Sequence, residues 1–343
     1  MNTPAQEHGP PGPYLPWQDR PFAPAPSRGN PALRISPVTT VSVIKPPRLR
    51  PGGRIGVISP AGPVEESELQ AGLENLTLAG FEIRLASHVY ARKEYLAGGD
   101  EGRLADLHAM FRDRQINAIF CTRGGYGTLR LLQKVDYPMI RKNPKILMGY
   151  SDITALLLAV HKKTGLVTFH GPTVRDLASG GAEDLRRLLQ PLQKNHPLRL
   201  TLGERSALIP GRAQGPLIGG NLTMLCHLLG TPFFPSLTGR ILFLEDRGEP
   251  LYRIDRMITH LRLSGRVEGI AGIALGRFEE CGEDTALHEL FRERFLDLQV
   301  PVATGLPVGH GESNSILPLG LSAELDTERM TLTIASVTNE KKG

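Results

Sequence analysis

The sequence predicts an α/β protein built on a parallel sheet with helices on both faces. Three observations carry this. Short β-branched apolar runs alternate with helix-length stretches from residue 54 onward. No apolar run approaches the roughly 20 residues that a membrane-spanning helix needs. The 343 residues, 40% of them hydrophobic, suffice for one large or two ordinary domains with a buried core.

The elements follow in order. RIGVIS (54–59) reads as the first strand, residues 60–63 as a turn, and 65–79 as a helix with Leu69, Leu73 and Leu76 on one face. FEIRLA (81–86) is the second strand, 101–112 a helix, and NAIFC (117–121) the third strand. KILMG (145–149) is the fourth and runs straight into a helix at 153–163. LVTFH (166–170) is the fifth. Residues 173–213 are mixed and polar and predict a linker between domains. A second α/β unit, 214–337, holds helices near 221–229, 251–263 and 284–297. Its strands are expected at 240–245, 269–275, 320–326 and 329–335. The N-terminal domain is thus expected to span 50–172. Residues 1–49 hold 12 of the 28 prolines and predict a disordered tail, because proline lacks an N–H and cannot continue a helix or a central strand.

The formal net charge of +5 is local. Residues 1–50 carry six basic and two acidic side chains, whereas the other 34 basic and 33 acidic side chains nearly cancel. No basic stripe predicts a nucleic-acid partner. The chain start lacks a basic stretch followed by an apolar one, so no secretory signal, no membrane association and a cytoplasmic location are expected. Cys121, Cys226 and Cys281 are odd in number and widely spaced, which predicts free buried thiols rather than a disulfide or a zinc site. No metal or cofactor is expected.

Four motifs carry chemistry. In Gly149-Tyr150-Ser151-Asp152, a serine stands where a strand turns directly into a helix. That turn lifts a hydroxyl above the sheet, near the helix's free N–H groups. It departs from G-x-S-x-G, with Ile153 at the last glycine, and the local sequence leaves nucleophile and helix cap both open. Arg123-Gly124-Gly125-Tyr126-Gly127 follows the third strand, and its backbone N–H groups suit an oxyanion hole completed by Asp152. A nucleotide loop fits poorly, since no G-x-G-x-x-G opens the first unit and no Walker lysine follows. Glu245 ends an apolar strand and suits a carboxylate that fixes an imidazole tautomer, although Asp246 and Glu249 compete for that role. His310 lies between two glycines on an unhindered loop, as a general base should, with His170 as its rival. The order Ser151, Glu245, His310 is that of a Ser–Asp/Glu–His triad drawn from two domains.

TRGGYG (122–127), GYSDIT (149–154), HGP (170–172), GGNLT (219–223), LFLED (242–246) and GHG (309–311) together resemble the LD-carboxypeptidases. That serine peptidase family of muramoyltetrapeptide carboxypeptidases also includes microcin C self-immunity peptidases. The resemblance spans about residues 52–335. It implies a flavodoxin-like N-terminal domain, similar to class I glutamine amidotransferases, and a smaller swivelling C-terminal domain. It also implies a homodimer. Ser151 becomes the nucleophile, His310 the base and Glu245 its orienting acid. The backbones of Asp152 and of Gly124 or Gly125 become the oxyanion donors. The implied reaction releases terminal D-alanine from murein tetrapeptide. Arg123, Tyr126 and Arg247 are candidates to contact that substrate, the arginines by pairing with its carboxylate. Hydrolysis of aminoacyl-nucleotide toxins like microcin C is the alternative.

Overall fold

The computed structural model describes residues 42–203, 206–311 and 313–336. Most of the expected tail therefore lies outside the described residues. Its last stretch does not behave as a tail. Ile44 pairs in parallel with Leu166, the Leu49 N–H donates to the Leu192 carbonyl at 2.9 Å, and Leu49 is wholly buried. Leu49 has apolar surface to bury even in proline-rich surroundings.

The first sheet is built from β1 (Arg54–Ile58), β2 (Glu82–Leu85), β3 (Ile116–Cys121), β4 (Ile146–Gly149) and β5 (Thr168–His170). The connections carry α1 (Glu66–Leu78), α2 (Asp100–Arg112), α3 (Tyr137–Lys142) and α4 (Ile153–Thr164). The order β2-β1-β3-β4-β5, all parallel, is flavodoxin-like. It reverses direction between β1 and β3. The loops after those strands, 59–63 and 122–127, therefore diverge and leave a crevice at the carboxyl edge.

The chain continues through α5 (Ala182–Gln193), β6 (Leu198–Thr201), β7 (Ala207–Ile209), β8 (Arg212–Asn221), α6 (Leu222–Leu228), β9 (Ile241–Arg247), α7 (Leu251–Leu263), β10 (Gly272–Glu279), α8 (Asp284–Phe295) and β11 (Val302–Ala303). It ends in β12 (Leu317–Leu319), β13 (Ser322–Asp326) and β14 (Thr331–Ile334). The second sheet, β6-β14-β13-β8-β9-β10-β11-β7, is mixed. The stretch expected to be a linker thus supplies α5, which buries Leu185, Leu189 and Leu192, and two strands of this sheet. The helical spacing of those leucines was masked by Gly180, Gly181 and Pro191 around them.

β12 was not expected. It pairs antiparallel with β5 and so completes the edge of the first sheet with a segment from the C-terminal half. Pro318 sits at its centre, which an edge strand tolerates because one side of the ladder needs no donor.

α4 joins the two layers. Ten of its twelve residues are buried, the mark of a helix covered all round. The Asn221 N–H at the end of β8 donates to Thr154 Oγ1 at 3.3 Å. Gly220 has φ +143, and a Cβ there would lie 2.6 Å from Thr154 Cγ2. Only glycine permits this approach of β8 to α4, which places Glu245, on the neighbouring β9, opposite the start of α4.

Candidate active site

Ser151 occupies the sharp turn between β4 and α4. Its φ is +61, a left-handed conformation that disfavours an L side chain by about 1–2 kcal/mol. The turn is held on both sides. The Ile153 N–H donates to the Tyr150 carbonyl at 3.2 Å, and the Thr154 N–H to the Ser151 carbonyl at 2.9 Å. Asp152 does not cap α4 with its side chain. Its Oδ2 accepts instead from the Thr128 N–H at 2.9 Å, and Thr128 Oγ1 donates to the Asp152 carbonyl at 2.6 Å. These bonds lock the loop after β3 onto the loop after β4. Burial nevertheless pushes the Asp152 carboxyl above its ordinary range.

Gly124 lies directly over the serine. A Cβ at Gly124 would be 2.8 Å from Ser151 Cβ and 2.9 Å from its Oγ. The Gly62 N–H donates to the Gly124 carbonyl at 3.2 Å, so the turn after β1 holds the glycine in place. Gly125, at φ +115, closes against Gly62. Beneath both turns lies Arg103, fully buried. Its Nη1 donates to the Pro60 carbonyl and its Nη2 to Asp100, each at 2.5 Å. The hydrogen bond from Arg130, followed by that from Arg103, holds the Asp100 carboxyl below its usual range. Sequence reading missed Arg103. Its only signal was an Asp three residues earlier on the same helix.

The other half comes from the second sheet. Glu245, at the end of β9, is completely buried, and its Oε2 lies 2.7 Å from His310 Nδ1 and 3.3 Å from the His310 N–H. Of the three acids the sequence left open, only Glu245 reaches the histidine. Asp246 points to the opposite face, as neighbours in a strand must. It accepts from Asn221 Nδ2 at 2.8 Å and from Thr223 N–H at 2.9 Å, at the start of α6. Glu249 pairs with Arg253 at 3.4 Å. Gly309 sits at φ +109, where a Cβ would lie 2.8 Å from Glu245 Oε2. Any side chain there would part the acid from the histidine.

The ring of Tyr150 lies 4.7 Å from that of His310, which brings the histidine beside the residue preceding Ser151. His170 is also near, 5.8 Å from Tyr150 and edge-on to Phe243 at 5.0 Å. It is fully buried, and that burial pushes its pKa down to about 4. His310 behaves differently. Burial opposes its charged form, but the hydrogen bond and charge of Glu245 outweigh burial and raise its pKa above the ordinary 6.5. Glu245 is the reciprocal case: burial disfavours its charge, yet contact with His310 leaves the carboxyl below its usual range.

A family model of the LD-carboxypeptidase N-terminal domain matches residues 55–171, and that of the LD-carboxypeptidase C-terminal domain matches 214–325. This chain belongs to the LD-carboxypeptidase family. A probable murein peptide carboxypeptidase of Bacillus subtilis (strain 168) is 37% identical over 307 residues, covering 86% of this chain and 96% of the relative. The murein tetrapeptide carboxypeptidase of Pseudomonas aeruginosa is 36% identical over 296 residues, covering 81% and 94%. The crystal structure of an MccF-like protein from Bacillus anthracis superposes with a TM-score of 0.80 at 29% identity, covering 86% of this chain and 100% of that one. The N-terminal match spans the five parallel strands of the first sheet and the C-terminal match β8 to β13, so the serine and histidine loops of this LD-carboxypeptidase come from different matched segments.

The remaining expected residues separate. In this LD-carboxypeptidase Arg247 pairs with Glu280 at 2.8 Å, and its charge acts on Tyr150 and His310. Tyr126 is exposed and meets Tyr95 edge-on at 5.6 Å. Arg123 is half-buried beside Gly62, its Nη1 donating to the Pro63 carbonyl at 3.3 Å. A cavity of about 340 Å³, bounded by Tyr150, Pro172, Asp176, Gly311 and Asn314, opens against the histidine loop. Cys121 and Cys281 are buried and Cys226 partly so, all three as free thiols; burial raises the pKa of Cys226 to about 12 and of Cys281 to about 11. Among the described residues no helix is long and apolar enough to cross a membrane.

Proposed function

We propose that this LD-carboxypeptidase is a serine-type enzyme that removes the terminal D-alanine from murein tetrapeptide or a related peptide ending in a D-amino acid. The observation that carries the reading is the 2.7 Å contact of His310 with buried Glu245, set beside a serine held at φ +61. Glu245 accepts the Nδ1–H and fixes the tautomer in which Nε2 is free to take a proton. Ser151 Oγ adds to the carbonyl carbon of the L,D peptide bond, and its proton passes to His310 Nε2. Negative charge gathers on the carbonyl oxygen. The N–H groups of Asp152 and of Gly124 or Gly125 offset it, a role worth about 3–4 kcal/mol per donor in comparable sites. His310 then gives its proton to the departing amine of D-alanine, leaving an acyl-serine. Water attacks the acyl-serine with His310 again as base, and the tripeptide is released.

The murein substrate is favoured over an aminoacyl-nucleotide by kinship. The relatives named for murein peptides are 36–37% identical, against 29% for the MccF-like structure. We also take the enzyme to act as a cytoplasmic homodimer, which sedimentation and cell fractionation would test. The deciding experiment is mass spectrometry of tetrapeptide incubated with wild type and with Ser151→Ala. Loss of one D-alanine with wild type alone supports the proposal. No loss with folded wild type, together with cleavage of an aminoacyl sulfamoyl adenylate, moves the substrate class. Equal loss from both proteins removes Ser151 from the mechanism.

A further inference from the structure

An enzyme that removes one residue from a chain end must distinguish a free carboxylate from a continuing peptide. The group that does so is a cation near the nucleophile without an acid of its own. The loops around Ser151 carry several arginines, and most are already satisfied. Arg92 pairs with Glu65, Arg103 and Arg130 share Asp100, and Arg175 faces Glu68 at 3.8 Å. Arg247 is held by Glu280 on the other half of the cleft. Arg123 has no acidic partner among the described residues. Its one hydrogen bond goes to the neutral Pro63 carbonyl at 3.3 Å, long for a charge-assisted bond. Its position follows from the backbone: it precedes Gly124, the residue lying over Ser151 Oγ, and its Nε is 3.7 Å from where a Cβ of Gly62 would stand.

Resting on the proposed carboxypeptidase reading, we infer that Arg123 is the residue that binds the substrate's terminal carboxylate and so restricts this enzyme to removing a single C-terminal residue. Its planar fork matches the two carboxylate oxygens, a match that a lysine or a backbone N–H does not reproduce. The adjacent Gly62–Gly124 contact fixes the start of the side chain relative to Ser151. A carboxylate on Arg123 would therefore lie on the Gly62–Gly124 side of Ser151. Arg277 also has no acidic partner among the described residues, and it does not meet the requirement. Its Nη2 donates to Ser313 Oγ at 2.9 Å, and it lines a separate cavity of about 400 Å³ whose walls include neither Ser151 nor Gly124.

The test uses the full chain and two probes, tetrapeptide acid and the same peptide as its C-terminal amide. A charge-assisted pair of this kind predicts that wild type prefers the acid by about 10- to 100-fold in kcat/KM. Arg123→Gln should lower kcat/KM for the acid by that factor, mainly through KM, and change the amide by less than about threefold. Arg123→Lys should recover part of the preference, and Arg277→Gln should keep all of it. Retention of the full preference by Arg123→Gln overturns the inference. So does an equal loss on both probes, which would mean that Arg123 merely holds the Gly124 turn. Wild type cleaving acid and amide alike would sink the inference while leaving the peptidase reading intact. Cleavage of neither would sink both.

Discussion

Gly124→Ala isolates the geometry on which the proposed chemistry depends. Gly124 is not at positive φ, so alanine costs little in backbone strain. The added Cβ has nowhere to go. It would stand 2.8 Å from Ser151 Cβ and 2.9 Å from Oγ, whereas carbon atoms rest about 3.5–4.0 Å apart. A shift of roughly 0.7 Å or more is therefore required, shared between the Gly124 turn and the serine. The serine is poorly placed to yield, because its φ of +61 is held by the bonds that start α4. The turn is fixed in its turn by Gly62 and, through Thr128, by Asp152. A misplacement near 1 Å costs about 10²-fold in rate, and a lost oxyanion donor about 10²–10³-fold. We expect kcat/KM for D-alanine release to fall by about 10²–10³-fold. Overpacking of this size should cost about 1–3 kcal/mol of stability, so the protein remains folded. Release of D-alanine would be followed by coupled oxidation, beside labelling of Ser151 by a fluorophosphonate and a thermal melt. Activity within threefold of wild type in a folded Gly124→Ala protein would refute the dependence of the proposed chemistry on the placement of this turn over Ser151.

Three further outcomes follow from the same contacts. His310 must be neutral to accept a proton, so kcat/KM should decline as pH falls through a value above 6.5. In Glu245→Gln the contact that outweighs burial is gone, and the opposed charges of Asp246 and Arg247 are left beside it, so the acidic limb should move to lower pH while kcat falls on the order of 10³–10⁴-fold; a limb that stays put would remove Glu245 as the tuning group. His310→Ala should abolish hydrolysis, whereas His170→Ala should only weaken it, since His170 is buried behind Tyr150 and kept neutral; steady-state rates showing the reverse order would exchange their roles. Gly320 stands at φ +95 between β12 and β13, and a Cβ there would lie 2.0 Å from His161 Cε1. Gly320→Ala should destabilise the fold by about 2–4 kcal/mol, lowering Tm by several degrees; an unchanged melt would show that β12 is not held against α4 in this way.

The sequence by itself determined much of this protein. Alternating apolar runs and helical stretches specified the five parallel strands: β1, β3, β4 and β5 are apolar because both their faces are covered, whereas β2 stands at the sheet edge with no buried residue and was marked by its place between two helical stretches. The glycines flanking His310 marked one chemical loop, because both stand at positive φ, and the direct passage from an apolar strand through Gly149-Tyr150-Ser151 into a helix marked the other. What it could not specify was anything set by contacts across the chain. Whether Glu245, Asp246 or Glu249 faces His310 depends on the pleat and register of β9, and a shift of one residue would exchange Glu245 for Asp246. The role of 173–213 and the return of β12 to the first sheet depend on surfaces that exist only once both sheets have formed. Arg103 and Arg123 illustrate the same limit. Both are arginines near glycines or acids in the sequence, yet one is buried and paired with Asp100, and the other has no acidic partner among the described residues. Local sequence sets backbone conformation through short-range sterics. Partnership between charges more than a few residues apart is a property of three-dimensional distance, and only the tertiary structure decides it.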